Sequence, residues 1–151
     1  MTRLSDGFTI IELVVVVAIL GIVAAIGFVR LPSDRLAVNQ AADGLAADVK
    51  LARFQAISRN TYVEIRISPG TNSYAVLERD SGDQIKGVTL GSDGRSPSVR
   101  ISSVDTPANN IVFDPRGIGI GAGPQNVEFS SQRSDFSRTV EISQQGRVAV
   151  K

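Results

Sequence analysis

The sequence predicts an α+β fold in which a long N-terminal helix, half transmembrane and half amphipathic, packs on a small antiparallel β-sheet head domain. Three observations predict it. An apolar run occupies residues 8–29, near the start of the 151-residue chain. Apolar residues then recur at intervals of three and four up to residue 59, which is the period of an amphipathic helix. Beyond residue 60, apolar and polar residues alternate in short segments, which is the period of strands.

The composition argues against most catalytic chemistries. The chain contains no cysteine and no histidine, so it lacks a thiolate nucleophile, disulfide pairs, and the usual general base and metal ligand. Sixteen basic and fifteen acidic residues give a net charge of +1, which implies no global attraction to nucleic acid or to an anionic membrane. We therefore predict no enzymatic activity, no cofactor and no metal site. Turn aspartates such as Asp114 are interpreted as local hydrogen-bonding residues.

The apolar run allows three interpretations. A helix of this length, at about 1.5 Å per residue, spans about 33 Å, close to the ~30 Å hydrocarbon core of a bilayer. A cleaved secretory signal is the second interpretation, since Arg3 gives a basic start and residues 25–27 resemble a cleavage site, but the run is longer than an ordinary signal core. A buried core helix is the third, although a domain this small cannot surround an entirely apolar helix. Hydropathy favours the membrane anchor over the cleaved signal.

The amphipathic segment follows a predicted interruption. Residues 31–34, Leu-Pro-Ser-Asp, predict a kink or short break, because proline removes a backbone donor and Ser33 or Asp34 can cap a new helical start. A helix then runs from Asp34 to about Arg59, and its small apolar residues favour close packing on a sheet. The apolar stripe consists of Val38, Ala41, Ala42, Leu45, Val49, Ala52 and Ala56. Four charged residues fall outside the stripe and are predicted to form a solvated face: Asp43, Asp48, Lys50 and Arg53.

The remainder of the chain predicts short strands joined by turns. Val63, Ile65 and Ile67 alternate with polar neighbours, and residues 68–72 turn the chain into a second strand around Tyr74. Further strands are predicted at residues 86–91, 98–103, 110–114, 126–130, 138–143 and 147–150. The alternate glycines of residues 117–123 lack the lysine of a phosphate loop and the helix that would follow it, so they predict a flexible loop or the end of a hairpin.

The order of residues around the start of the apolar run is more specific than its hydropathy. Residues Gly7 to Leu13, GFTIIEL, follow a short polar leader and lead directly into the run. This order closely resembles the class III signal of type IV prepilins and type II secretion pseudopilins. The resemblance implies cleavage by a prepilin peptidase between Gly7 and Phe8, N-methylation of Phe8, and a role for Glu12 as the assembly carboxylate.

A lone carboxylate in an apolar run needs an explanation, because an unpaired charge in lipid is costly. In filaments of this kind the glutamate is thought to meet the N-terminal ammonium of a neighbouring subunit, and this pairing would offset much of the cost for Glu12. The alternative is that Glu12 only reaches toward the membrane surface from its position one helical turn from the cleaved end.

Three further segments extend the resemblance over most of the chain. They are LAADVKLARFQAISRNTYVEIRI, the block formed by residues 113–117, Phe-Asp-Pro-Arg-Gly, and the terminal VEISQQGRVAVK. They are similar to the GspH/FimT family of minor pilins and pseudopilins, which implies a pilin-like fold. The implied domains are a prepilin leader at 1–7, a transmembrane or filament-core helix at 8–30, its amphipathic continuation at 31–59 and an antiparallel β head domain at 60–151.

The resemblance also implies a location, partners and a function. The chain would cross the bacterial inner membrane once, with the C-terminal head outside the cytoplasm, before it enters a filament. The implied partners are the prepilin peptidase, other pilins or pseudopilins, the inner-membrane assembly platform and the lipid bilayer. The implied function is filament initiation or tip assembly in a type II secretion pseudopilus or a type IV pilus. A surface-anchored binding domain is the alternative if the leader stays uncut.

Some FimT-like members bind DNA during natural transformation through a Gly-Arg-x-Arg motif near the C-terminus. Here residues 146–149 read Gly-Arg-Val-Ala, so the second arginine is missing. Lys151 lies on the same predicted strand face as Arg147, and Arg133 and Arg138 would add charge if the fold brought them near. These four are the candidate DNA-binding residues, and so few phosphate contacts would give weak, salt-sensitive binding. The alternative is that Arg147 and Lys151 are solvated edge-strand charges.

Overall fold

The computed structural model describes residues 9–28, 33–91, 98–121 and 123–151, with side chains for all of these except residues 24–28 and 33. The predicted leader, the cleavage-site residues Gly7 and Phe8, and residues 31 and 32 of the predicted break lie outside the described residues. The chain divides into two compact units, Met1–Pro32 and Ser33–Lys151.

The first unit contains helix α1, Ile10–Phe28. Thr9 caps its N-terminus, because the amide of Glu12 donates to Thr9 Oγ1 over 3.3 Å. The side chains of residues 10–23 are all exposed. No helix within the described ranges is both long and apolar enough to cross a membrane. The transmembrane helix predicted over residues 8–30 is therefore not confirmed and stays a prediction.

The second unit begins with helix α2, Ser33–Arg59, as the amphipathic pattern predicts. One face of this helix is buried, and its buried apolar side chains are Ala37, Val38, Ala42, Leu45, Ala46, Val49, Ala52 and Ala56. Most of them are alanine, so the helix backbone lies close to the strands that it covers. The predicted stripe is confirmed, except that Ala41 is only partly buried.

Short strands follow α2 and form two antiparallel sheets within the described part of the chain. The strands are β1 Val63–Ser68, β2 Ser73–Glu78, β3 Gln84–Thr89, β4 Val99–Asp105, β5 Asn110–Phe113, β6 Gly119–Ile120, β7 Gln125–Ser131, β8 Ser137–Ile142 and β9 Val148–Val150. The first sheet has the order β3-β2-β1-β5-β6, and the second has the order β4-β7-β8-β9. The predicted fold class, a helix packed on an antiparallel β head, is confirmed.

The predicted alternation in β1 is confirmed, because Val63, Ile65 and Ile67 are all buried. Each strand predicted from the sequence has a counterpart, with ends that differ by one or two residues. The glycine-rich segment adds β6, which pairs with β5 in an antiparallel register, Phe113 opposite Gly119. Of the two predictions for this segment, the end of a hairpin is therefore the correct one.

A single hydrophobic core fills the second unit, and its members run from Ala37 to Ile142. The largest fully buried side chains are Phe113 in the first sheet, Phe129 in the second and Leu45 on α2. The core thus draws on α2 and on both sheets.

Asp48 does not lie on a solvated face, so that prediction is wrong for this residue. Its side chain is buried, accepts a hydrogen bond from Tyr74 Oη over 2.9 Å, and pairs with Lys86 Nζ at 2.6 Å. Burial, and then the hydrogen bond to Asp48, raise the pKa of Tyr74 far above its ordinary value. The partners come from β2 and β3, so this polar contact joins α2 to the edge of the first sheet. Asp43 and Lys50 are exposed, as predicted.

Arg53 is also not fully solvated, and it lies between two loops. Its Nε donates to the carbonyl oxygen of Gly117 over 3.1 Å. On the other side, a Cβ added to Gly146 would lie 2.7 Å from Arg53 Cδ and 3.4 Å from the buried ring of Phe113. Gly117 follows β5 and Gly146 precedes β9. Arg53 therefore connects α2 to one loop of each sheet.

We predict that Gly146→Ala destabilises the protein by about 2–4 kcal/mol, because alanine there meets both an unfavourable backbone angle and the Arg53 side chain. Gly82→Ala is the matched control: its φ of +75° is almost the same as the +72° of Gly146, but nothing lies within 4 Å of the added Cβ. The control should cost only about 1 kcal/mol. Urea denaturation of both variants in detergent measures the difference, and equal losses would show that Arg53 does not constrain this loop.

Candidate functional site

The N-terminus of α1 holds the predicted assembly carboxylate in a defined position. Thr9 is the N-cap and Glu12 is the third helical residue, which is the arrangement of a Thr-x-x-Glu capping box. A carboxylate in the first turn is also favoured by the helix dipole. Glu12 is exposed and makes no ion pair with any described residue. Its charge is therefore available for an external partner.

The surface of α1 is apolar around its whole circumference. Between Ile10 at 85% exposed and Val23 at 61%, every large apolar side chain of the helix is at least half-exposed except Val16, at 46%. An exposed apolar surface this extensive is not stable in water and marks association with lipid or with other protein helices. An assembly role is chemically consistent with such a helix, because other helices can bury its apolar side chains as lipid can.

Arg147 and Lys151 lie at the two ends of β9, the outer strand of the second sheet. Lys151 pairs with the carboxylate of Glu141 on β8, and its backbone exchanges hydrogen bonds of 2.9 and 3.0 Å with Thr139. Arg147 is exposed, and its amide donates to Ser143 Oγ over 3.1 Å. The shared strand face is as predicted, but the charge of Lys151 is already compensated.

Arg138 and Arg133 belong to a different part of the surface. Arg138 lies on the same face of β8 as buried Val140, the face that is turned toward α2. Its Nε donates to Asn39 Oδ1 over 2.9 Å. Arg133 lies in the turn between β7 and β8, where its amide donates to Ser131 Oγ over 3.1 Å. The fold does not bring all four candidate residues onto one face. DNA binding by these residues stays a prediction.

The block Phe113-Asp114-Pro115-Arg116-Gly117 forms a tight turn at the end of β5. Asp114 Oδ1 accepts hydrogen bonds of 2.9 Å from the amides of both Arg116 and Ile118, and Oδ2 pairs with the Arg116 guanidinium at 2.9 Å. The hydrogen bond from the Ile118 amide, together with the hydrogen bonds and charge of Arg116, holds the pKa of the Asp114 carboxyl below its ordinary value of 3.8 against the opposing effect of burial. The block shapes the loop that Arg53 contacts, so its role is structural.

Within the residues that the structure describes, no three histidine, cysteine, aspartate or glutamate side chains come close enough together to hold a metal ion.

The architecture of one long helix on two small antiparallel sheets defines the class of minor pilins and pseudopilins. The fold is similar to that of the type IV minor pilin FimU of Pseudomonas aeruginosa, with a TM-score of 0.59 and 16% identity over 79% of this chain and 91% of that one. It is equally similar to the minor pseudopilin EpsH from the type 2 secretion system of Vibrio cholerae, with a TM-score of 0.59 and 15% identity over 76% and 95%. At these identities the likeness shows the fold.

Sequence comparison identifies the family. The family model described as type II transport protein GspH matches residues 41–146, and the one described as prokaryotic N-terminal methylation motif matches residues 2–28. The pilin-like protein PilA1 of Thermus thermophilus is 34% identical over an alignment 161 positions long that covers 100% of both chains. The chain therefore belongs to the GspH family of minor pilins and pseudopilins and carries the N-terminal methylation motif. This is a family of structural filament subunits.

We predict that Asp114→Asn destabilises the protein at neutral pH and that this effect disappears in acid. A carboxyl whose pKa is lowered on folding contributes stability that is present above the pKa of the unfolded chain and is lost as the pH falls through the folded value. The difference between the wild type and the variant should therefore be constant above about pH 5 and shrink below about pH 4. Urea denaturation over this range measures it. Asp43→Asn, on the exposed face of α2, is the control for the loss of one carboxylate charge.

Proposed function

We propose that this protein is a low-copy subunit of a type II secretion pseudopilus or a type IV pilus, where it acts in filament initiation or tip assembly. Before assembly, α1 holds the subunit in the bacterial inner membrane, with the head outside the cytoplasm. The prepilin peptidase cuts between Gly7 and Phe8 and Phe8 is methylated, after which the assembly platform transfers the subunit to the filament. The head then makes lateral contacts with neighbouring pilins.

The observation that carries this proposal is the presence of both family matches in one short chain. The N-terminal methylation motif matches residues 2–28, and the GspH match at 41–146 covers most of the head. The apolar surface of α1 and the charge of Glu12, which has no ion-pair partner among the described residues, support the same role. Neither feature distinguishes secretion from pilus assembly.

Processing tests the proposal directly. Expressed in a bacterial membrane with a prepilin peptidase, the chain should begin at methylated Phe8, as read by intact mass and N-terminal sequencing. Without the peptidase it should keep Met1. A chain that begins near Phe28 instead would mean that the apolar run is a cleaved secretory signal, and a chain uncut in both strains would leave only an anchored domain.

Two substitutions at Glu12 separate charge pairing from helix capping. Glu12→Ala removes the charge and every side-chain hydrogen bond, whereas Glu12→Gln removes the charge but keeps the length of the side chain and an oxygen that can accept a capping hydrogen bond. If Glu12 pairs with an ammonium group in the filament core, both variants should be processed normally and both should fail to assemble. Loss of one partner of a buried ion pair costs about 3–5 kcal/mol, which corresponds to roughly a hundredfold or more in an assembly constant.

The readout is the amount of each processed variant in sheared filaments relative to the membrane fraction. Glu12→Asp, which keeps the charge, is the control and should retain partial assembly. Incorporation of Glu12→Gln at the wild-type level would assign this residue to capping and contradict the pairing role.

The alternative function, FimT-like DNA binding in natural transformation, has one specific observation in its favour. Arg147 is exposed and has no carboxylate partner among the described residues. Lys151, however, is paired with Glu141, and Arg133 and Arg138 lie on other surfaces. One free arginine supplies little of the phosphate binding that duplex DNA requires. We therefore favour the filament role over DNA binding.

A further inference from the structure

We infer that the free edge of β9, on the side away from β8, is a docking site for an extended acidic segment of a partner protein, which adds to the second sheet as a further strand. The inference concerns the head alone, and it names a partner chemistry that the proposed filament role does not require. Three features support it: the other outer strands are protected, β9 presents open backbone groups, and the charges at its ends select the occupant.

The outer strand β4 is protected by Asn72, whose side chain takes the place of a neighbouring strand. Its Oδ1 accepts from the Ile101 amide and its Nδ2 donates to the Val99 carbonyl, each over 2.8 Å. A register shift between Ile101 and Ser103 then interrupts the rest of this edge. Bulges and covered backbone groups keep an outer strand from pairing with another chain.

The first sheet protects both of its outer strands. At β6, the Gln144 carbonyl accepts from the Gly119 amide over 2.7 Å, and Gln144 Nε2 donates to the Gly121 carbonyl over 2.6 Å. At β3, Lys86 points inward to the buried carboxylate of Asp48, and the register with β2 is irregular. An inward-pointing charge and an irregular register both disfavour the addition of a strand.

The outer strand β9 has neither a covering side chain nor an irregular register. Thr139 and Lys151 exchange both of their backbone hydrogen bonds, and hydrogen-bonded pairs alternate with non-hydrogen-bonded pairs along an antiparallel ladder. Val148 and Val150 therefore turn their amides and carbonyls away from β8, and no described residue bonds to these groups. The four groups form a short template for an added strand.

The core face of β9 indicates which side chains the added strand carries. Val150 lies opposite buried Val140, so it is on the core face, and Val148 shares this face. Val148 packs against the core, whereas Val150 is 37% exposed. An added strand therefore needs apolar side chains beside these two valines, where they would extend the apolar surface of the sheet.

The outer face of β9 carries the charge that selects the partner. Arg147 and Lys151 lie at its two ends, with exposed Ala149 between them. Lys151 pairs with Glu141 on β8, but Arg147 makes no ion pair with a described residue. An acidic residue opposite Arg147 would supply this pair. Charge complementarity at the open edge therefore favours an acidic segment.

The same charges disfavour a second copy of this chain as the occupant. An antiparallel pairing of two β9 strands that uses both open valines is centred on Ala149. It places Arg147 of each copy opposite Lys151 of the other. Like charges directly opposite each other destabilise a strand pair, so the occupant is a segment of a different protein.

Disulfide trapping tests the inference on the full unprocessed chain in detergent, and the absence of native cysteine allows single thiols. Ala149→Cys places a thiol at the centre of the open edge. Ser102→Cys is the control, on the protected edge of β4, and both positions are exposed. The probe is the capped peptide Thr-Glu-Val-Cys-Val-Glu-Thr. Opposite β9, its cysteine would face position 149, its valines the two open valines, and its glutamates the charged ends.

In a glutathione buffer, Ala149→Cys should capture the peptide at least about tenfold more than Ser102→Cys, as read by intact mass. N-methylation of both peptide valines removes the N–H groups that face β9 and should abolish most of this excess. A peptide with lysine in place of both glutamates should lose most of it through charge repulsion. Arg147→Gln should lower capture of the acidic peptide roughly two- to fivefold, whereas Arg79→Gln, at an exposed position elsewhere, should not.

Equal capture at positions 149 and 102, in variants that unfold in urea as the wild type does, would overturn the inference. Equal capture of the acidic peptide and its N-methylated form would assign the attraction to charge without strand addition. Equal capture of the acidic and lysine peptides would contradict an acidic partner. Disulfide-linked dimers of Ala149→Cys that form readily without peptide would assign the edge to a second copy, because position 149 would then face itself.

The outcome is separable from the test of the proposed function, because peptide capture requires neither cleavage nor assembly. A chain that is processed and assembled but shows no preference at position 149 would overturn this inference alone. A chain that captures the peptide as expected but is never processed would overturn the filament role and leave this inference in place.

Discussion

The packing of α2 against two separate sheets is the constraint on which the rest of the head depends. The sheets share no strand, so no continuous ladder of backbone hydrogen bonds runs through the domain. What joins them is the buried face of α2, whose alanines allow the helix to approach both. Three polar contacts then fix the arrangement at its margins: Asp48 with β2 and β3, Arg53 with loops of both sheets, and the Asn72 side chain with the start of β4.

Periodicity predicts the elements well because it is a local property. The stripe on α2 and the alternation in β1 each require only neighbouring residues, and both are present in the structure. The polar contacts cannot be predicted in this way, because the partners of Asp48 lie at positions 74 and 86, on strands whose register the sequence does not determine. The sequence identifies Asn72 only as a turn residue. In the structure its side chain accepts a hydrogen bond from the Ile101 amide and donates one to the Val99 carbonyl. A polar residue beside an apolar stripe is ambiguous until the sheet next to it is known.

The candidate site residues also divide into those that the sequence identifies and those that depend on the fold. Gly7, Phe8 and Glu12 are identified by the order of residues in a family motif, and energetics alone would mark only Glu12, as an isolated carboxylate. The basic residues show the reverse case. Their positions along the chain suggest one group of four, but strand faces alternate and turns diverge, so the fold separates Arg147 and Lys151 from Arg133 and Arg138. Net charge is equally uninformative, since a value near neutrality conceals paired and unpaired cations in different regions.

The self-contained core has a thermodynamic consequence for a subunit that changes surroundings. Every member of the core cluster lies between Ala37 and Ile142, so the hydrophobic core that stabilises the head is built from residues of the second unit. If α1 exchanges a lipid environment for a protein one, the folding free energy of the head core is the same in the initial and final states and cancels from the difference. The balance of that exchange is then determined by the apolar helix, by the charge of Glu12 and by surface contacts. Substitutions in the head core would alter how much folded subunit the cell holds without altering the affinity of each subunit for its filament.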